Sequence, residues 1–519
     1  MNSVRTFRNP ILPGFYPDPS ICRVGEDYYL VTSSFAWFPG IPVFHSRDLI
    51  NWKQLGHVLD RQSQLDLDGL EQSEGVFAPT IRYHKGIFYV INTNVPKKGN
   101  FIVTATDPAG PWSEPYWLED APGIDPSLFF DSDGSAWYVG TRSAPEGGRY
   151  YGDNDIWLQE LDLGTMKLKG EKFSLWRGAM KNAVWPEGPH LYKIDGLYYL
   201  MISEGGTDYH HSVTIARSEI LKGPYVGNPA NPVLTHRHLG RNYPIMNTGH
   251  ADLVETQNGE WWMVALASRP YGGYYRNLGR ETFLAPVSWE EGWPIVSPGT
   301  GRIEFEYTSP LLETEPVVLP EGRDDFDNTK LGLDWNFIRT PREQFWSLTD
   351  RPGFLRLKLR PQRMAELETP SFVGRRQQHI NFSAGLAMEF KPLSDNEAAG
   401  MVLLQNNNYY FGFEYSLTDG RGTVRLTECR AGQERVLTCK PFDEGSIYLK
   451  VTAAGQEYSF FYGSEKGDLK LLAGNVDGRI LSTDIAGGFV GAYIGMYASS
   501  NGQQSGNTAD FDWFEYTGA

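Results

Sequence analysis

The sequence predicts an all-β protein in two parts, a five-bladed β-propeller followed by an antiparallel β-sandwich of the concanavalin or jelly-roll kind. Three observations predict this fold: a segment that repeats five times, alternating strand patterns in the C-terminal part, and no convincing amphipathic helix longer than three turns. We expect the propeller to span residues 1–307, a linker 308–322 and the sandwich 323–519.

The repeated segment is a short run headed by a polar residue or proline, then a glycine, then an apolar strand rich in aromatic residues. The five runs begin at Asp18, Ala78, Asp125, Glu187 and His250. The glycine follows seven to nine residues later, at Gly25, Gly86, Gly134, Gly196 and Gly259. A strand, a tight turn and a second strand at this period are typical of propeller blades around a common axis.

The repeat ends near residue 294, and a last strand at 302–307 is expected to close the propeller against the N-terminus. Residues 308–322 are rich in proline and glutamate and are interpreted as a linker. Period-two patterns separated by Gly, Asn and Asp turns then predict the sandwich strands. The clearest of these strands are 354–359, 387–390, 409–415, 447–451 and 511–516.

Charge and composition exclude several classes of partner. The 519 residues carry a formal net charge of -16 without an offsetting basic stripe, which argues against nucleic acid and anionic membranes. No run of eighteen apolar residues occurs, residues 1–10 do not form a signal peptide, and three cysteines lack metal-ligand spacing. These features predict a cytoplasmic protein without nucleic-acid or membrane partners. A homo-oligomer is compatible with them.

Three of the five runs place a carboxylate at an equivalent position. If the blades are equivalent, Asp18, Asp125 and Glu187 converge at one mouth of the axis. Trp185 and the prolines beside Glu187 would partly desolvate it, and a nearby carboxylate would raise its pKa further. A protonated glutamate facing an ionised aspartate is the arrangement that cleavage of a glycosidic bond requires.

Other residues are weaker candidates for the same site. His250 heads the fifth run, although a lone histidine is more often structural, and Arg280 by itself would be an ordinary ion-pair residue. Aromatic faces suit the C–H surfaces of sugars, although most aromatic residues in such a chain belong to the core. The candidate sugar platforms are Phe35, Trp37, Phe77 and Trp185.

Several ordered motifs make the sequence resemble a known family. They are Asn-Pro-Ile-Leu-Pro-Gly-Phe-Tyr-Pro-Asp-Pro-Ser-Ile-Cys at 9–22, Trp-Phe-Pro-Gly at 37–40, and the segments 45–52, 187–192, 249–252 and 278–282. Together they resemble glycoside hydrolase family 43, the β-xylosidase and α-L-arabinofuranosidase family. The segment 371–379 is similar to the sandwich domain of the β-xylosidases of that family, so the resemblance spans nearly the whole chain.

The resemblance implies a five-bladed propeller that hydrolyses terminal pentosides with inversion at the anomeric carbon. By position, Asp18 would be the general base, Glu187 the general acid, and Asp125 the carboxylate that tunes Glu187 and orients the substrate. Arg280 matches the arginine that contacts substrate hydroxyls. His250 matches an axial histidine, which holds a divalent cation in some members and only hydrogen-bonds in others.

The expected activity is removal of terminal β-D-xylosyl residues from short xylo-oligosaccharides, with α-L-arabinofuranosidase side activity and no cofactor required for the chemistry. The alternatives are α-L-arabinofuranosidase or arabinanase as the main activity, or a carbohydrate-binding propeller without catalysis. Phe77 stands where many relatives carry tryptophan, a departure that is expected to reshape the pocket wall. The sandwich is expected to close the pocket, with the loop 499–505 as a contributor.

Acidic residues near both ends of the sandwich suggest a structural calcium site. Asp325 lies in an Asp-Asp-Phe-Asp run at 324–327, and Asp512 lies in Asp-Phe-Asp at 510–512. Strands from the two ends of a domain often pair, so these acids could share Ca²⁺ through oxygen ligands. Exposed turn acids are an equally good interpretation.

Overall fold

The computed structural model describes residues 5–312, 322–443 and 445–518. These residues form an almost entirely β protein, in which the helical elements are a 3-10 turn (Gly478–Leu481) and a single-turn helix, α1 (Thr483–Ala486). No helix within the described ranges is long and apolar enough to span a membrane. Of the expected linker, residues 313–321 lie outside the described ranges.

The N-terminal part begins with β1 (Thr6–Arg8) and continues as five antiparallel sheets in chain order. Blade 1 contains β2 (Ser20–Val24), β3 (Asp27–Val31), β5 (Gly40–Ser46) and β6 (Lys53–Leu59), with β4 (Trp37–Phe38) outside the sheet. Blade 2 contains β7 (Gly75–Val76), β8 (Thr80–His84), β9 (Ile87–Val95), β10 (Gly99–Ala105) and β11 (Tyr116–Trp117).

Blade 3 contains β12 (Ser127–Phe130), β13 (Ala136–Ser143), β14 (Asn154–Asp162) and β15 (Lys167–Trp176). Blade 4 contains β16 (Glu187–Ile194), β17 (Leu197–Glu204), β18 (Ser212–Ser218), β19 (Val226–Gly227) and β20 (Leu234–Thr235). Blade 5 contains β21 (Met246–Glu255), β22 (Trp261–Ser268), β23 (Glu281–Glu290) and β24 (Trp293–Val296). The strands β2, β8, β12, β16 and β21 contact one another in a ring, which places them around the axis.

The predicted repeat is confirmed. All five repeat glycines lie in the turn between an axial strand and the next strand of its blade, with φ between 65° and 91°. These left-handed turns favour glycine because it carries no Cβ. The aromatic strands that follow are largely buried, so each blade packs its faces against its two neighbours.

The propeller closes through its N-terminal segment, as the sequence suggested. β1 pairs antiparallel with β25 (Glu306–Thr308), and the Asn9 backbone N–H donates to Phe305 O over 2.8 Å. The Asn9 side chain also binds the backbone of Leu284 in blade 5. Closure therefore comes from a separate strand pair beside the blades, because blade 1 and blade 5 each keep their own consecutive strands.

The C-terminal part forms two antiparallel sheets that face each other. One sheet joins β26 (Arg323–Asp324), β28 (Trp346–Ser347), β29 (Leu355–Lys358), β31 (Phe382–Glu389), β36 (Ile447–Ala454), β37 (Glu457–Gly463), β38 (Lys470–Asp477) and β40 (Thr508–Gly518). The other joins β30 (Ser371–Arg376), β32 (Ala398–Asn406), β33 (Tyr409–Thr418), β34 (Arg421–Arg430), β35 (Gln433–Pro441) and β39 (Tyr493–Ser499). This arrangement is the predicted β-sandwich.

The two parts are joined by a shared strand pair and by shared hydrophobic clusters. A strand from each side, β4 and β27 (Phe337–Ile338), pair to form a two-stranded sheet across the boundary. A single cluster of buried apolar residues runs from blades 1 and 2 into the sandwich. A second cluster also joins the two parts, and in it Trp37 is fully buried and stacks on Tyr493 with ring centroids 3.5 Å apart. The expectation that Trp37 is a sugar platform is therefore wrong, because the sandwich covers its ring.

Candidate active site

The predicted site residues lie at the axial ends of four blades. Asp18 and Asp125 precede β2 and β12, Glu187 begins β16, and His250 lies within β21. Asp18, Asp125 and His250 adopt left-handed backbone conformations, with φ of 55°, 54° and 43°. In blade 4 the left-handed conformation is adopted by Gly188, the residue after Glu187, with φ of 57°. A repeated, uncommon conformation at equivalent positions is typical of functional sites, where the surrounding fold holds strained residues.

Asp18 is held by two partners inside the propeller. One carboxylate oxygen accepts a hydrogen bond from Arg280 Nη1 at 2.7 Å, and the other accepts from the Ser33 hydroxyl. Burial opposes the charge of Asp18, but Arg280, the neighbouring His250 and the Ser33 hydrogen bond together outweigh it. The pKa of Asp18 therefore lies below its usual value, and the carboxylate is ionised at neutral pH.

Asp125 and Glu187 lie in the same electrostatic cluster but have the opposite tendency. Burial, followed by the charge of Asp18, raises the pKa of Asp125 to about 6 against the opposing effects of His250 and Arg280. Burial and the charges of Asp125 and Asp18 raise the pKa of Glu187 well above its usual value. Within the described residues, neither carboxyl group forms a side-chain hydrogen bond. One acid is thus ionised while another keeps its proton, as acid and base catalysis require.

His250 is buried beside Glu187. Its backbone N–H donates to Ser203 Oγ over 2.6 Å, and a Cβ on Gly188 would lie only 2.9 Å from its ring. The described residues contain no group of three histidine, cysteine or acidic side chains that could hold a metal ion.

A second histidine, which the sequence analysis missed, lies in the same region. His211 Nδ1 donates to the Asn247 carbonyl over 3.0 Å, and its ring fills the space where Gly249 has no side chain. Burial lowers the pKa of His211 to about 4, so this ring is neutral. The one sequence signal for it was its place in the loop between the second and third strands of blade 4.

Arg280 links the acids to an aromatic wall, which consists of Phe35, Phe77 and, from the sandwich, Phe489. Besides Asp18, its Nη1 donates to Thr207 Oγ1 at 3.1 Å, and its guanidinium lies over the Phe35 ring, 5.5 Å from the centroid. Phe35 and Phe77 pack together with centroids 5.2 Å apart. Phe35 is buried and Phe77 is half-buried, so Phe77 is the more accessible of the two predicted sugar platforms.

The fourth predicted platform, Trp185, lies closer to solvent. Its side chain is 37% exposed and stands edge-on against Tyr151, which is 81% exposed. The Trp185 backbone N–H donates to Gly152 O over 2.6 Å, and its ring covers Gly206. The rings of Trp185 and Tyr151 thus form an exposed aromatic pair, and Trp185 lies two residues before Glu187 in the sequence.

The sandwich contributes one residue to this wall, as expected, but from a different loop. Phe489 lies 6.1 Å from Phe35 and 6.4 Å from Phe77 between ring centroids, and its carbonyl accepts from Arg280 Nε at 3.4 Å. The loop 499–505 instead binds other sandwich residues, including Arg360 and Asn396. These hydrogen bonds lie within the sandwich, and the contribution of that loop to the wall stays a prediction.

Asp325, one of the two acids suggested for a calcium site, is paired with an arginine. Asp325 accepts two hydrogen bonds from Arg323, and Asp510 is held by Arg351 and Arg356. No metal-binding cluster occurs in residues 5–312, 322–443 and 445–518. The strands from the two ends do pair, as β26 with β40. Burial and the charge of Asp325 raise the pKa of Asp512 against the opposing charge of Arg323. Both interpretations of these acids, a calcium site and turn acids, stay predictions.

Comparison with known proteins identifies the family. The model of glycosyl hydrolases family 43 matches residues 7–294, and that of the β-xylosidase C-terminal concanavalin A-like domain matches 323–517. The chain belongs to glycoside hydrolase family 43. The first match includes the three acid-bearing runs and Arg280. This family 43 protein is therefore a glycoside hydrolase with a β-xylosidase-type sandwich.

Relatives match this family 43 enzyme along its whole length. A xylosidase/arabinosidase of Butyrivibrio fibrisolvens is 50% identical over 510 residues, covering 98% of each chain. The non-reducing end α-L-arabinofuranosidase BoGH43B of Bacteroides ovatus is 42% identical over 99% of this chain and 95% of its own. The solved structure of a xylan β-1,4-xylosidase from Bacillus halodurans C-125 superposes with a TM-score of 0.93 at 36% identity, covering 98% and 100% of the two chains.

Proposed function

We propose that this enzyme removes terminal β-D-xylosyl residues from short xylo-oligosaccharides with inversion of configuration, and that it releases α-L-arabinofuranosyl residues as a side activity. Asp18 is the general base and Glu187 the general acid. Asp125 tunes Glu187 and orients the sugar, and Arg280 binds its hydroxyls.

One observation carries the proposal. Three acids that are distant in sequence lie in one buried cluster, where Arg280 and Ser33 compensate the charge of Asp18 alone. Asp18 is therefore ready to accept a proton, while Glu187 retains one to donate. A propeller that merely binds sugar has no need to bury two uncompensated carboxyl groups, which cost folding free energy.

The reaction is a single displacement. Asp18 takes a proton from water as the water oxygen bonds to the anomeric carbon. The bond from that carbon to the leaving oxygen breaks at the same time, and Glu187 delivers its proton to that oxygen. Room for the water requires the two carboxyl groups to be roughly 6.5–9.5 Å apart, whereas a double displacement needs about 5–5.5 Å.

The aromatic wall supports action on chain ends. Phe489 from the sandwich packs beside Phe35 and Phe77 and caps one side of the cluster. A pocket closed on that side admits a terminal sugar, and the leaving chain extends on the side of Glu187, toward Trp185 and Tyr151. The names of the relatives, xylosidase and arabinosidase, support a pentose in this pocket.

The second candidate is α-L-arabinofuranosidase as the main activity. The specific observation in its favour is the similarity to the Bacteroides ovatus protein, which is named for that activity. The two substrates present similar hydroxyl layouts, so the same acids would serve both, and Phe77 would be among the residues that discriminate between them.

The deciding measurement is kcat/KM on 4-nitrophenyl β-D-xylopyranoside and 4-nitrophenyl α-L-arabinofuranoside, with proton NMR of the first anomer released from xylobiose. We expect the xyloside to be preferred and α-xylose to appear first. Preference for the arabinoside would favour the second candidate. Initial β-xylose would contradict inversion, and no turnover of either glycoside or of xylobiose would contradict the proposed function.

Two further statements from the sequence stay predictions. The cytoplasmic location would be checked by fractionating cells that express the chain at its natural level. The homo-oligomer would be checked by light scattering coupled to size-exclusion chromatography.

A further inference from the structure

The sandwich segment that reaches the pocket is lightly buried. Residues 483–486 are half-buried, 487–489 are exposed, and Phe489 has 41% of its surface exposed. Gly487 and Gly488 have φ of 75° and 79°, values that side-chain-bearing residues rarely adopt. A segment with few buried apolar contacts depends on specific anchors for its position.

The first anchor is Ser73, in the loop between β6 and β7 of the propeller. Its hydroxyl accepts a hydrogen bond from the Phe489 backbone N–H at 2.8 Å. The contact is close, because a Cβ on Gly488 would lie 2.2 Å from Ser73 Oγ. Ser73 therefore fixes the backbone immediately beside the Phe489 ring.

The second anchor is Arg276, on the opposite side, between β22 and β23 of blade 5. Its Nη2 donates to Asp484 Oδ1 at 2.8 Å, and its backbone N–H donates to Asp484 Oδ2 at 2.8 Å. Only 12% of each of these two side chains is exposed. A charge-assisted pair with several hydrogen bonds and little solvent access is among the stronger polar interactions.

Between the anchors, the segment contacts the substrate-binding arginine. Phe489 O accepts from Arg280 Nε, and the guanidinium lies 5.9 Å from the Phe489 ring centroid and 5.5 Å from that of Phe35. Arg280 Nη1 donates to Asp18 and to Thr207. The orientation of this guanidinium thus depends on the propeller at one end and on the sandwich segment at the other.

We propose that Ser73 and Arg276 are positioning residues that hold the sandwich segment Asp484–Phe489 over the pocket and, through the Phe489 carbonyl and ring, set the orientation of Arg280. The inference rests on the proposed function, because it assigns Arg280 and Phe489 to the sugar pocket. It also gives the sandwich a defined part in substrate binding.

Loss of either anchor would loosen the wall without removing any group that transfers a proton. Arg280 and Phe489 contact the bound sugar before and during the reaction, so weaker positioning reduces binding of substrate and transition state alike. Such a change raises KM and leaves kcat nearly unchanged. A defect of folding would instead reduce the active fraction and lower the apparent kcat.

The experiment compares Ser73→Ala and Asp484→Asn with the wild type. Loss of one such hydrogen bond is expected to raise KM for the xyloside about three- to tenfold, with kcat within about twofold. Amide hydrogen exchange of residues 483–489 should be faster in both variants, while Tm stays close to that of the wild type. Arg342→Ala is the matched control, because Arg342 also joins the two parts through Asp66 and Asp68 and is expected to leave KM and exchange in 483–489 unchanged.

Each result has a definite meaning. Unchanged exchange in both variants would show that the anchors do not hold the segment and would overturn the proposal. Faster exchange with unchanged KM would overturn the link to Arg280. An equal rise of KM in Arg342→Ala would also overturn the proposal, because any contact between the two parts would then have the same effect. If the wild type turned over no pentoside, the proposed function would fail, while hydrogen exchange would still decide whether the anchors hold the segment.

Discussion

Two buried charged clusters lie along the propeller axis, one with three acids and one with a single acid, Asp252. Each contains an arginine, and the two arginines differ in which acids they compensate. In the first cluster, which we propose to be the catalytic cluster, Arg280 pairs with Asp18, while Asp125 and Glu187 have no side-chain hydrogen bonds among the described residues. In the second cluster, Asp252 accepts from Arg82, from Tyr192 OH at 2.6 Å and from Ser20 Oγ at 2.8 Å. Blades 1, 2, 4 and 5 all contribute to this second cluster.

The difference shows in the pKa values. Burial opposes the charge of Asp252, but Arg82, His190 and the hydrogen bonds from Arg82 and Tyr192 outweigh it, so the pKa of Asp252 is strongly lowered. Burial and the charges of neighbouring acids raise the pKa of Asp125 and of Glu187 instead, because the opposing charges nearby are too weak to outweigh them. A buried acid with a full set of partners ties blades together, whereas a buried acid left without partners is available for proton transfer.

The largest effect is expected from the catalytic cluster. Asp18→Asn and Glu187→Gln should each lower kcat/KM on the xyloside by about 10²–10⁴-fold, the contribution typical of a positioned acid or base. Thermal unfolding should show both variants folded, because the side chains keep their shape. Near-normal turnover by either variant would remove that residue from the mechanism.

The second cluster should respond in stability. Asp252→Ala leaves the Arg82 guanidinium buried without its partner, and breaking a buried pair in this way costs about 3–5 kcal/mol of unfolding free energy. Urea unfolding of wild type and variant measures this loss. If Asp252→Ala were as stable as wild type but inactive, Asp252 would act in catalysis and not in holding the blades together.

The pH dependence tests the coupling within the catalytic cluster. In the proposed mechanism, activity requires Asp18 ionised and Glu187 protonated, so it falls as pH rises through the pKa of Glu187. The charge of Asp125 is one cause of that raised pKa. Asp125→Asn should therefore move the alkaline limb of the kcat/KM profile to lower pH, whereas Asp131→Asn, at a separate ion pair with Lys193, should leave it in place.

The smallest effect concerns Asp325, an acid that Arg323 already compensates. Because no metal-binding cluster occurs in the described residues, adding Ca²⁺ or EDTA should leave Tm unchanged within error. Differential scanning fluorimetry at fixed ionic strength checks this. A Tm that rises by several degrees with Ca²⁺ in the wild type, but not in Asp325→Ala, would instead support the calcium site.

Much of the fold could be predicted because it depends on local, repeated patterns. The glycine turns and the aromatic strands recur at a regular period, so five copies identify the blades and place Asp18, Asp125 and Glu187 at equivalent positions. Alternation of apolar residues likewise predicted the sandwich strands. The resemblance to the family added Arg280 and the roles of the acids.

The remaining features depend on contacts between residues that are far apart in the sequence. Trp37 was predicted to be a sugar platform, but Tyr493 covers its ring. Phe489 was not predicted to line the pocket, because its one local feature is that it is an aromatic residue after two glycines. The sequence by itself determined which residues could carry the chemistry, because type and spacing are local properties. Only the tertiary structure decided which buried charges are compensated and which ring closes the pocket, because burial and partnership arise when distant segments pack together.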